Sequence, residues 1–105
     1  MEVNMEKEII INNINDYADY LGIDIDQIER AIYKGTSCGA WIYWDNKGMV
    51  IGSIVEGSDA EFSKTFNFPV NIKEINNWFE ELEELTDEAW HEANDYDKEF
   101  FCLLN

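Results

Sequence analysis

The sequence predicts an α+β domain: a three-stranded antiparallel β-meander packed with two N-terminal helices and one long acidic C-terminal helix. Three observations carry this. Apolar residues recur at three- and four-residue steps up to about residue 33, alternate with a period of two from Thr36 to Phe68, and return to helical spacing after Pro69. With 105 residues, a single domain over 1–105 is expected, long enough to bury about two thirds of the surface its unfolded form exposes.

Residues 6–21 place Ile10, Ile14, Tyr17, Ala18 and Leu21 on one helical face, with Gly22 where a C-cap belongs. Asn12, Asn13 and Asn15 weaken this helix. Asp24 or Asp26 caps a short second helix carrying Ile28, Ala31 and Ile32, and Gly35 ends it. Cys38 to Trp44 and Gly48 to Val55 then read as strands, being rich in Trp, Ile, Tyr and Val, with Asp45-Asn46-Lys47-Gly48 as the hairpin turn. Glu56-Gly57-Ser58-Asp59 supplies a second turn, and Phe62, Phe66 and Phe68 fall on one side of a third strand. Pro69 stops that strand because it has no N–H for the ladder, and Asn71 caps the helix that starts near Ile72. The apolar stretch Phe100 to Leu104 is expected to tuck back against the core.

The net charge is −16, from 23 acids against seven Lys and Arg, yet hydrophobic residues make up 46% of the chain and aromatics 14%. That composition separates it from the aromatic-poor disordered acidic proteins. Direct binding to nucleic acid or to an anionic membrane is disfavoured, since both reward cations. No apolar run approaches the roughly 20 residues of a membrane span, and Met1-Glu2-Val3-Asn4 lacks the basic start of a signal peptide. A cytoplasmic location is expected, with Cys38 and Cys102 as free thiols.

The chemical motifs fail one by one. His91-Glu92-Ala93-Asn94-Asp95 has an aspartate where a zinc-protease helix needs its second histidine. Asp95, Asp97 and Glu99 alternate without the glycine and distal glutamate of an EF-hand, and Asp45-Asn46-Lys47-Gly48 puts a lysine where a ligand should point. Residues 20–36 have helix-turn-helix length, but Asp26, Gln27, Glu29, Arg30 and Lys34 make a poor reader of DNA. Paired carboxylates need a concave site to act as acid and base, and these cluster on a helix face. No metal, no cofactor and no enzymatic activity are expected.

What remains is a one-sided charge. From Lys73 to Glu99 there are eleven acids and two lysines, and between Glu74 and Glu99 the sole Lys or Arg is Lys98. Such a helix lacks the alternating Glu and Lys pairs that support an ordinary solvated helix. Acids three or four residues apart lie about 5–6 Å from one another, and phosphates of one DNA strand advance about 3.4 Å along the axis. Glu80, Glu81, Glu83, Glu84, Asp87, Glu88, Glu92, Asp95 and Asp97 are therefore the candidate partner-binding residues, a row of charge resembling a nucleic-acid backbone. The bland reading is a solvated face that serves solubility.

On the adjoining hairpin, Ala40, Ile42 and Trp44 point one way and Trp41 and Tyr43 the other. Trp41 and Tyr43 are either core beneath the first helix or the tail, the ordinary fate of aromatics, or an aromatic contact patch on a water-facing sheet.

A small, strongly acidic domain with a Glu-rich helix and an aromatic hairpin resembles the DNA-mimicking inhibitors of phages and mobile elements, the anti-CRISPR and antirestriction proteins. The stretch Gly52-Ser53-Ile54-Val55-Glu56-Gly57-Ser58-Asp59-Ala60-Glu61-Phe62 is similar to one in small acidic bacterial or phage proteins of no assigned role. The resemblance implies a basic nucleic-acid-binding partner such as a Cas nuclease or a restriction enzyme, whose positively charged channel a carboxylate array would occupy. It carries over no residue role. The alternative expectation is a toxin-immunity or regulatory protein that binds through Trp41, Tyr43 and Phe100-Phe101 without competing with nucleic acid. A monomer is expected, because net charge opposes pairing of two such helices.

Overall fold

The computed structural model describes residues 8–55 and 60–104, with side chains as far as Glu92. It is α+β: a three-stranded antiparallel sheet, a small two-stranded sheet and three α-helices. In chain order these are β1 (Ile10–Ile11), α1 (Ile14–Leu21), a 3₁₀ turn (Ile25–Gln27), α2 (Ile28–Tyr33), β2 (Trp41–Trp44), β3 (Gly48–Ile54), β4 (Glu61–Asn67), β5 (Val70–Asn71) and α3 (Ile72–Leu104). The expected turn at Glu56-Gly57-Ser58-Asp59 lies outside the described residues.

The first helix is shorter than its spacing predicts. Asn13 is its N-cap, accepting from the Asp16 N–H at 2.9 Å, and the Asp16 carboxylate accepts from the Asn12 N–H at 2.9 Å. The first bond satisfies an orphan donor of the first turn, and the second ties the residue before the cap to that turn. Ile10 and Ile11 are consequently extended and pair antiparallel with Asn71 and Val70. Ile14, Tyr17 and Ala18 form the buried stripe. Burial, with Tyr20 adding, raises the Tyr17 pKa well above the usual tyrosine range.

The main sheet has the order β2-β3-β4. Its hairpin is fixed by Asp45, whose Oδ1 accepts from the N–H groups of Lys47 and Gly48 at 2.8 and 3.1 Å. The register sets Trp41 opposite Gly52 and Tyr43 opposite Val50. Ile42, Met49, Ile51 and Phe66 turn inward and are buried.

The long helix begins where Asn71 Oδ1 accepts from the Lys73 N–H at 2.9 Å, just after the cis Phe68-Pro69 bond that follows β4. It buries Ile72, Ile75, Trp78, Leu82 and Thr86, a three- and four-residue stripe in which each large apolar side chain contributes about 2–3 kcal/mol. The Trp78 indole N–H donates to the Ile51 carbonyl at 2.9 Å and locks helix to strand. Phe100–Leu104 continue the helical backbone rather than turning back toward the core, which corrects the expected tail; the side chains of Phe100, Phe101 and Cys102 lie outside the described residues. Among the described residues no helix is long and apolar enough to cross a membrane.

Candidate functional site: an acidic helix face and an aromatic sheet face

The burial of Ile75, Trp78, Leu82 and Thr86 turns the opposite side of α3 to water, and that side is acidic. Glu80, Glu81, Glu84, Asp87, Glu88 and Glu92 are all exposed. At 100° per residue Glu81, Glu84, Glu88 and Glu92 follow one row about 16 Å long, while Glu80, Glu84, Asp87 and His91 follow its neighbour. His91 Nε2 lies 3.5 Å from Asp87 Oδ1, and no Lys or Arg interrupts the segment from Glu80 to Glu92. Glu80–Glu84, Glu84–Glu88 and Glu88–Glu92 are like-charge pairs one turn apart, each costing a few tenths of a kcal/mol. The buried stripe offsets that cost, so the helix does not need the acids to fold. Asp95 and Asp97 belong to the same helix, but their side chains lie outside the described residues.

Glu83 departs from this row. It is half-buried, and its carboxylate accepts two hydrogen bonds from Ser37, from the backbone N–H at 3.0 Å and from Oγ at 2.7 Å. It fastens the loop between α2 and β2 to α3. The same loop is held from the sheet side, where the buried Ser53 hydroxyl donates to the Gly39 carbonyl. Gly39 has φ +83°, and a Cβ there would come within 3.0 Å of the Tyr33 ring.

The second surface is the outer face of the sheet. Ala40 and Ile42 are buried, whereas Trp41 is half-buried and Tyr43 is 69% exposed. These two rings lie 5.2 Å apart between centroids at a 45° tilt. Trp41 is placed by the residue across from it: a Cβ on Gly52 would stand 2.5 Å from the Trp41 ring, so the indole occupies the space a side chain would take. Ile54, further along β3, is 55% exposed on the same face. Glu29 and Tyr33 of α2 border it beside β2, enclosing with Trp41 and Tyr43 a cleft of about 250 Å³. Sequence reasoning missed Tyr33; the available signal was an aromatic residue off the buried stripe of Ile28 and Ile32.

A third recess, lined by Tyr33, Lys34, Thr36, Cys38 and Trp90, separates α2 from α3. Cys38 carries a free thiol there. Among the described residues no group of three or more His, Cys, Asp or Glu side chains could hold a metal ion.

Comparison with protein-family models, curated proteins and solved structures finds no match for this chain.

Proposed function

We propose that the protein is an acidic inhibitor whose α3 occupies the basic nucleic-acid-binding surface of another protein. The observation that carries this reading is the exposure of Glu80, Glu81, Glu84, Asp87, Glu88 and Glu92 on a helix whose other side is buried in the core as far as Thr86. A rigid helix presents these charges at fixed intervals, so a complementary row of Lys and Arg meets them without ordering a flexible chain. Opposite fields steer the two proteins together, giving fast association that weakens with salt. A nuclease with a positively charged nucleic-acid channel, of the Cas or restriction type, is a partner of this class, and the setting would be the cytoplasm of a bacterial host.

The test is capture from a bacterial lysate on the immobilised protein at low and high salt, followed by challenge with duplex DNA. A nucleic-acid-binding protein released by DNA supports mimicry. Retention of a partner that keeps its DNA favours the second reading, an immunity or regulatory protein that docks elsewhere, for which the exposed Tyr43 beside Trp41 is the supporting observation.

A further inference from the structure

The cleft between α2 and β2 is lined by Tyr33, Trp41, Tyr43 and Glu29, together with Ala40 and Ile42. Tyr33 and Tyr43 are 66% and 69% exposed, and beside Trp41 they present aromatic rings of the kind enriched at binding hot spots. Trp41 is held in place by Gly52 on one side and Tyr43 on the other, and Tyr33 is seated over Gly39. Of the residues that line the cleft, the one charged member is Glu29. Its volume of about 250 Å³ lies below the 300–1,000 Å³ of ordinary small-molecule sites and suits one long side chain.

We propose that Tyr33, Trp41, Tyr43 and Glu29 form a receptor for a single arginine side chain of a protein partner. Aromatic faces attract a cation through their quadrupole, Trp most strongly, and the planar guanidinium stacks on rings where an ammonium does not. Glu29 supplies the carboxylate that a guanidinium meets through paired hydrogen bonds. The charge complementarity is that of the whole molecule, −16 against a cationic occupant. Tyr33 lines both this cleft and the recess beside Trp90 of α3, so one partner can span both. That the occupant belongs to the partner of α3 rests on the reading above; the cleft itself does not.

The test titrates the full chain with N-acetyl-arginine amide and, as its neutral isostere, N-acetyl-citrulline amide, following the Trp41 indole N–H and the Tyr33 and Tyr43 amides by NMR. Arginine is expected to move these signals at a concentration at least about 5-fold below citrulline. Glu29→Gln should raise the arginine midpoint about 3-fold, and Tyr43→Ala about 5-fold; both side chains are exposed, so neither variant threatens folding. Equal shifts with the two probes, or arginine shifts confined to α3 with the Trp41 indole unmoved, would overturn the proposal. A chain with α3 charges reversed should keep the arginine response, so failure of this site and failure of the α3 reading give different results.

Discussion

Glu83 holds Ser37 by two hydrogen bonds, 3.0 Å from its backbone N–H and 2.7 Å from its hydroxyl, across 46 residues of sequence. One of the acids that the sequence offers for partner binding is thus a structural clamp. Glu83→Ala should cost about 1–2 kcal/mol, the loss of two bonds to a charged acceptor at a half-buried site, whereas Glu84→Ala should stay within about 0.5 kcal/mol. Urea denaturation of the two variants measures the difference.

Gly52 and Trp41 form the second test of packing. A methyl group at residue 52 would lie 2.5 Å from both the Trp41 ring and the Phe62 carbonyl, and the carbonyl is backbone that cannot swing aside. Gly52→Ala should destabilise the sheet by about 1–3 kcal/mol, measured by denaturation, and should displace the indole from its seat, seen as a shift of the Trp41 N–H resonance.

Trp78→Phe keeps the buried ring but removes the donor that reaches the Ile51 carbonyl at 2.9 Å. A loss of about 1–3 kcal/mol is expected, because the carbonyl loses a buried partner. The thermal midpoint reports it.

Tyr17 sets an alkaline limit. Its folded-state pKa is raised by burial and by Tyr20, so the unfolded chain releases this proton near pH 10 while the folded chain keeps it. Above pH 10 the unfolded state binds fewer protons, and stability should fall with a slope of about 1.4 kcal/mol per pH unit. Tyr17→Phe should flatten that slope, as read from denaturation between pH 9 and 11.

How much of this was legible in the sequence follows from range. The onset of α3 is local, written in Pro69 and Asn71, and the hairpin is local, written in Asp45 and Gly48; both stand where the sequence puts them. Helical spacing to Ile14 and Tyr17 fits Ile10 and Ile11 as well as a strand does, and their true partners, Asn71 and Val70, lie about 60 residues away. Two-residue strands carry no periodicity to find. The separation of Trp41 and Tyr43 from Ala40 and Ile42 follows from period two, but whether that face is covered depends on where α1 and α3 pack, which no local pattern states. Glu83 looks like its neighbours in sequence; only the arrival of Ser37 distinguishes it.

The most direct measurement of the central claim is the affinity for the captured nucleic-acid-binding partner of a chain carrying Glu80→Lys, Glu84→Lys, Asp87→Lys and Glu88→Lys, with folding checked by circular dichroism. All four side chains are exposed, so the fold should persist. Loss of affinity by about 100-fold or more, together with displacement of the unaltered protein by duplex DNA, is the expected result. Unchanged affinity in the folded variant would contradict the assignment of α3 as the binding face.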